Sequence, residues 1–529
     1  MSVIAKNPIL RGFYPDPSIC VVGDDFYLVN STFAYFPGLP VMHSKDLVHW
    51  EQIGNVMDLN SQLPLEDCGH SAGLYAPTIR YHEGVFYVIC TNVSGGGNYI
   101  VTATQPQGPW SEPHYLEGAS GIDPSLFFDE DGKTYYVGMC DNPEGTRFPG
   151  DTCVWIQELD MENYKLVGKP AFVWNGAMQN VAWVEGPHLY KKDGWYYILH
   201  AECGTGEHHC VVVSRSRNIW GPYENNFCNP ILTHRHLGVS YPVQYVGHAD
   251  MVETANGDWY LVTLAVRPCE GYTRMGRETF LAKITWEKEW PVVNPGIGML
   301  TDTVEVELPP FIPEKIAPAC SAFPDVTGRD GINYDFTDMK KLPYEFLALR
   351  NPSDNMYELI SGEGLCLNLN PAALKDNASS AYLSIRQSHQ SFYAQTTVEG
   401  AFSLGEQEVA GMALMQNADY NLRIEVCEQK LQVILRENGK DRVMGEMEFS
   451  KEYKEELCLY IEGRGLWAEA GILWKNKKMP VAKRISLKGL STEIAQGFVG
   501  CTVGIYASSL GKETNSSVLY KQLSYDGIE

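Results

Sequence analysis

The chain has no hydrophobic run approaching the roughly 20 apolar residues of a membrane span, and its start, Met1-Ser2-Val3-Ile4-Ala5-Lys6-Asn7-Pro8, lacks the apolar centre of a cleaved export signal. These absences predict a cytoplasmic protein with no membrane partner. Positive charge is scarce: 41 Lys and Arg stand against 65 Asp and Glu, a formal net charge of −24. Nucleic acid and anionic lipid need a basic surface, so neither is an expected partner, and a neutral or cationic ligand is. The 14 cysteines are scattered and contain no CxxC pair. That argues against a zinc or disulfide framework and for buried thiols in a reducing compartment.

What is present favours strands and turns. In 529 residues there are 30 Tyr, 12 Trp, 49 Gly and 30 Pro, with 44% hydrophobic and 20% charged residues. That length exceeds one ordinary core and predicts two domains. Near the start stands Phe13-Tyr14-Pro15-Asp16-Pro17-Ser18, a carboxylate between two prolines. Both rings restrict the backbone, and Pro17 drives Asp16 away from the right-handed helical region, which aims the side chain. The stretch is echoed by Tyr75-Ala76-Pro77-Thr78, Ile122-Asp123-Pro124-Ser125, Glu185-Gly186-Pro187-His188 and Gly247-His248-Ala249-Asp250. A turn and an aromatic strand follow each copy, for example Asp193-Gly194-Trp195-Tyr196-Tyr197. Five units spaced roughly 45 to 65 residues apart are an internal repeat with the hairpin grammar of propeller blades. Tryptophans beside turns, in Val48-His49-Trp50, Gly108-Pro109-Trp110 and Trp220-Gly221-Pro222, read as plugs between blades.

The repeat ends near Pro295. Leu308-Pro309-Pro310-Phe311-Ile312-Pro313 and Pro318 then make a stiff connector. Beyond it, short alternating runs such as Leu422-Arg423-Ile424-Glu425-Val426 and turns such as Asn438-Gly439 predict an antiparallel β-sandwich, with no helix of convincing length. The expected fold is all-β: a five-bladed β-propeller over 1–307, a Pro-rich linker over 308–324 and a β-sandwich over 325–529.

A closed propeller gathers one end of every innermost strand around one axis, so the echoed motifs meet in a funnel although they are far apart in sequence. Three of them bring carboxylates: Asp16, Asp123 and Glu185. Taken singly, an Asp beside Pro is usually a turn or cap residue. Blade packing, however, requires no carboxylate at three such places. Hydrolysis of a glycosidic bond uses two, one protonated to give the leaving oxygen a proton and one ionised. A third negative charge nearby raises the acid's pKa by repulsion.

Together with Ser31-Thr32-Phe33-Ala34-Tyr35-Phe36-Pro37-Gly38, Ser44-Lys45-Asp46-Leu47, Glu185-Gly186-Pro187-His188-Leu189-Tyr190 and Gly276-Arg277-Glu278-Thr279, these motifs closely resemble glycoside hydrolase family 43 over nearly the whole chain. Within it they resemble the β-xylosidases and α-L-arabinofuranosidases that carry a C-terminal sandwich of the jelly-roll, concanavalin-like kind. The resemblance implies an inverting, exo-acting hydrolase with Asp16 as general base, Glu185 as general acid and Asp123 tuning and orienting the acid. It further implies that Phe33, Tyr75, His248 and Arg277 bind the sugar and that no cofactor is required. In some relatives a divalent cation such as calcium sits on the axis at the level of His248. Without the family, Arg277 reads as an ion-pair partner of Glu278, and His248 and Phe33 read as core residues. The implied substrate is a short xylo-oligosaccharide or arabinose-decorated fragment, cleaved in the cytoplasm, and self-association is common among such relatives. Tyr75 stands where β-xylosidases have tryptophan, and Leu59 where they often have arginine. Both changes lean toward the arabinofuranosidases, and dual activity is the expectation.

Two other readings compete. A β-fructosidase is five-bladed and retaining, but its early motif usually runs Asn-Asp-Pro-Asn-Gly, whereas this chain has Pro15-Asp16-Pro17-Ser18. A non-catalytic carbohydrate-binding propeller predicts the loss of at least one carboxylate, and all three are present.

Overall fold

Each aromatic phrase becomes the second strand of a four-stranded antiparallel sheet, so the two-stranded unit read from the repeat gains two outer strands. The computed structural model describes residues 2–312, 320–324, 330–449, 456–475 and 477–528. Among them, blade 1 pairs Ser18–Val22, Asp25–Val29, Gly38–Ser44 and Glu51–Met57 in that order. Blades 2 to 5 repeat this over 78–115, 125–174, 185–225 and 244–293, completing a five-bladed propeller. Val3–Lys6 pairs with Thr303–Val306, and Leu10 bridges to Thr279 of blade 5, which ties the two ends of the propeller segment together. The tryptophans do lie between blades. Trp110 is buried in a core shared by blades 1 and 2, Trp50 packs on the core shared by blades 1 and 5, and Trp220 of blade 4 stands edge-on to Tyr135 of blade 3, 5.5 Å between rings.

Of the stretch read as a linker, 313–319 lies outside the described residues. Its last part, Cys320–Pro324, forms a strand that pairs with Asp330–Asp335. That strand belongs to a nine-stranded sheet that faces a six-stranded one. Alternate residues of both sheets, among them Leu414, Ile424 and Val503 against Leu459, Ile472 and Leu523, fill one apolar core. The helices among the described residues are one four-residue turn, Thr492–Ala495, and short 3₁₀ turns.

The sandwich sits on the propeller through buried arginines. Arg274 donates to the carbonyls of Gly465 (2.6 Å) and Gln390 (2.8 Å), Arg386 to that of Phe13 (2.6 Å), and Arg350 to that of Cys68 (2.8 Å). Guanidinium suits this place because its planar fork satisfies several acceptors at once and holds less tightly to water than an ammonium. Tyr35–Phe36 of the propeller also pairs as a short ladder with Ala348–Leu349 of the sandwich.

Candidate active site

Four of the five innermost strands start with the same backbone device. Asp16, Asp123, Gly186 and His248 have φ of 51°, 54°, 60° and 47°, and each is followed by Pro17, Pro124, Pro187 or Ala249. Asp16 thus sits on the positive-φ side, where side chains other than glycine cost about 1–3 kcal/mol. A following proline alone would favour extended backbone at negative φ, and His248 takes the same conformation without one. The carboxylates stand at similar, not identical, positions of the repeat. In blade 4 the position equivalent to Asp16 and Asp123 is Gly186, and Glu185 stands one residue earlier. The Gly186 N–H points instead at Asp123, donating to its Oδ2 at 3.0 Å.

Directly after these positions a ring of hydrogen bonds links all five blades. Ser18 Oγ donates to Asp250 Oδ2 (2.7 Å) and accepts from the Ile79 N–H (3.1 Å). Thr78 Oγ1 donates to the Pro124 carbonyl (2.9 Å), Ser125 Oγ to that of Pro187 (2.6 Å), and Tyr190 Oη to Asp250 Oδ1. Arg80 reaches across beneath the site, bonding Asp250 Oδ2 (2.8 Å) and His188 Nδ1 (3.0 Å). At about 1 kcal/mol net per bond, such a ring offsets the strained backbone above it.

The funnel forms. Asp16, Asp123 and Glu185 line one cavity of about 60 Å³ together with Phe33, Tyr75, His248 and Arg277, so all seven residues singled out from the sequence meet there. Asp16 accepts from Arg277 Nη1 at 2.6 Å and from Ser31 Oγ at 2.7 Å, with His248 Nδ1 4.0 Å away. The expected alternative for Arg277, a pair with Glu278, does not form: Glu278 is held by Arg267 at 2.7 Å. Leu59 is half exposed and does not line the cavity; beside it, Asn60 Nδ2 donates to the Pro352 carbonyl of the sandwich (2.8 Å).

Ile122, Thr205 and Phe498 also line the cavity and were not read from the sequence. Phe498 comes from the sandwich, where a lone aromatic in a loop carries no signal of its destination. The turn Thr492–Ala495 and Gly497 (φ 83°) deliver it, and its N–H donates to Ser71 Oγ at 2.9 Å. Its ring lies parallel to Phe33 (5.9 Å) and edge-on to Tyr75 (5.9 Å), and the Arg277 guanidinium lies 5.6 Å from the centre of both phenyl rings. The pocket thus has aromatic walls from both domains and a polar base, the surface that a sugar's C–H face and hydroxyls require.

Electrostatics separate the carboxyls. Burial, followed by repulsion from Asp123 and Asp16, pushes Glu185 well above the ordinary carboxylate range. Burial also raises Asp123, to about 6, with Asp16 adding to the rise while His248, the Gly186 N–H and Arg277 oppose it. Two adjacent carboxyls of this kind titrate as a pair, and Glu185 is the member whose proton affinity burial and both neighbouring charges raise. Asp16 forms an ion pair with Arg277. Below His248 the residues do not fit a divalent ion, because the carboxylate there, Asp250, is already bound to the Arg80 guanidinium. No group of three or more His, Cys, Asp or Glu side chains among the described residues is placed to hold a metal.

A five-bladed propeller whose funnel sets a carboxyl of raised proton affinity beside a cation-paired one has what glycoside hydrolysis needs. Residues 5–291 match glycosyl hydrolases family 43, and 333–526 match the beta xylosidase C-terminal concanavalin A-like domain. The chain belongs to glycoside hydrolase family 43. It is 48% identical to a xylosidase/arabinosidase of Butyrivibrio fibrisolvens, over 100% of this chain and 99% of that protein. It is 37% identical to a non-reducing end alpha-L-arabinofuranosidase of Bacteroides ovatus, over 96% and 92%. Among solved structures, the Bacteroides ovatus Xyloglucan PUL GH43B superposes with a TM-score of 0.88 at 34% identity, covering 99% of both chains. A xylan beta-1,4-xylosidase of Bacillus halodurans does so at 0.88 and 32% identity, covering 98% of this chain and 99% of its own.

Proposed function

We propose that this hydrolase removes one terminal sugar, β-D-xylose or α-L-arabinofuranose, from xylo-oligosaccharides or arabinose-decorated fragments, with inversion. In this reading Glu185 protonates the departing oxygen, Asp16 takes a proton from the attacking water, and Asp123 keeps Glu185 protonated while orienting it through the Gly186 N–H. The observation that carries it is the shared cavity, where burial and two neighbouring charges hold the Glu185 proton and Arg277 at 2.6 Å holds the Asp16 carboxylate. The small, aromatic-walled pocket, capped by Phe498, admits a single sugar and supports exo action. The two sugars present similar hydroxyl positions, and the two relatives named above carry one or both activities in their names. Cytoplasmic action on imported fragments completes the proposal, and cell fractionation tests that part.

The main test is Glu185→Gln. An amide cannot donate the proton, so turnover of xylobiose or of an arabinofuranosyl-xylo-oligosaccharide should fall by about 10²–10⁴-fold. Aryl glycosides with acidic leaving groups need that proton less and should lose far less. Near-normal cleavage of the natural disaccharide would remove Glu185 from the role. NMR of the first sugar released separates the retaining reading, since inversion yields α-xylose from a β-xyloside.

A further inference from the structure

The catalytic pocket has neighbouring cavities on the blade 3 side. Its wall residue Ile122 also lines a second, larger cavity of about 470 Å³, which includes Gly121, Asp141, Phe172 and Trp183. Pro143 and Phe172 are in turn shared with a third cavity of about 240 Å³ that contains Asn142, Glu144 and Asn175. The three adjoin in series, a path of neighbouring cavities from the carboxylates outward over blade 3. It starts on the Glu185 side, because Trp183 lies two residues before the acid.

Two aromatic rings are set along this path and left open to solvent. Trp183 is 46% exposed and Phe172 is 48% exposed. Trp183 does not reach its place cheaply. Its φ is 54°, its N–H is tied to the Gly150 carbonyl at 2.7 Å, and its indole is wedged between Gly150 and Gly204, where a Cβ would come within 2.8 Å and 3.0 Å of the ring. A strained backbone that keeps an indole half in water is the kind of cost maintained at binding sites. Among the described residues, the two outer cavities are lined by Asp141 and Glu144 and by no lysine or arginine.

We propose that this path is an extended leaving-group site for the backbone of a neutral β-1,4-linked pentose oligosaccharide, with Trp183 facing the first sugar beyond the cleaved bond and Phe172 carrying the second. The inference rests on the glycosidase reading above. The aromatic faces take the C–H faces of successive sugars, and Asp141, Glu144, Asn142 and Asn175 are within the same cavities to take hydroxyls. The acidic lining disfavours uronic-acid-decorated chains. The chain therefore trims the end or a branch of an oligosaccharide rather than acting mainly on disaccharides.

The experiment compares kcat/KM for xylobiose, xylotriose and xylotetraose, and for arabinofuranosyl-substituted xylobiose and xylotriose, in the wild type and in Phe172→Ala. The readout is the ratio between successive lengths. The wild type should gain about tenfold when the second leaving-side sugar is added, the worth of one good aromatic platform. Phe172→Ala should reduce that gain to under twofold. Trp183→Ala should lower kcat/KM for every member of the series. A wild-type kcat/KM that does not change with length, or a gain that survives Phe172→Ala, overturns the extended site while leaving the hydrolase reading intact. If no member of either series is cleaved although the folded protein is present, the hydrolase reading itself fails.

Discussion

Asp123→Asn separates charge from geometry. The asparagine carbonyl can still accept the Gly186 N–H that now reaches Asp123 Oδ2 at 3.0 Å, so the backbone ahead of Glu185 stays in place while one negative charge disappears. Two like charges about 6 Å apart at an effective dielectric of about 20 repel by about 3 kcal/mol, or about a hundredfold in proton affinity. Losing that repulsion stabilises the Glu185 anion, so its proton leaves at a lower pH. Burial, the larger cause of the rise, remains. The alkaline limb of kcat/KM against pH should therefore fall by about one to two pH units on a xylobiose-type substrate and stay above the ordinary glutamate range. At a pH above the new limb, the rate drops about tenfold for every pH unit that the limb has moved. The same variant should gain stability on the alkaline side. In the wild type Asp123 has its folded pKa raised from 3.8 to about 6, so stability present below pH 3.8 is lost as pH rises through 6, by about 3 kcal/mol in all. Asparagine removes that loss, and the melting temperature of the variant should exceed wild type at pH 8 and converge with it near pH 4. An alkaline limb that stays fixed or moves up would refute the role of Asp123 as the acid's electrostatic neighbour.

Arg277→Ala should leave the Asp16 carboxylate buried without its partner at 2.6 Å, destabilising the fold by about 3–5 kcal/mol; a urea titration showing under 1 kcal/mol would mean that the pair is not holding that charge. Phe498→Ala removes the wall contributed by the sandwich. It should weaken product inhibition by free xylose or arabinose about tenfold, and unchanged inhibition would mean that the ring does not touch the bound sugar.

Fold and site were legible in the sequence to different depths, for physical reasons. The five strand-turn-strand phrases could be read because alternation and Gly turns are local. The outermost strands of blades 2 and 4, His114–Tyr115 and Glu224–Asn225, are two residues long and leave no periodicity. The carboxylates were visible through repetition, and aligning Glu185-Gly186-Pro187 with Ile122-Asp123-Pro124 on the proline already sets Gly186 against Asp123; what the sequence does not show is the positive φ those two positions share. Pairing Arg277 with its neighbour Glu278 fails because adjacent residues of an extended chain face opposite ways. One turns toward Asp16 and the other toward Arg267. Phe498 and Trp183 could not have been found this way. What makes them part of the site is contact with residues hundreds of positions away, or glycines that clear a space.

The offset of Glu185 has a chemical consequence. Had the acid occupied the positive-φ position, it would share the backbone geometry of Asp16 and Asp123, and three carboxyls would be presented in the same way around the axis. Symmetric placement gives symmetric environments, and an inverting reaction needs unequal ones, with one proton held and one released. The repeat breaks its own symmetry by inserting glycine at that position in blade 4. Gly186 turns its N–H to Asp123 at 3.0 Å, and His248 fills the equivalent place in blade 5, within reach of Asp16 at 4.0 Å. The innermost strands thus supply equivalent positions, and the residues at them determine which carboxyl keeps its proton.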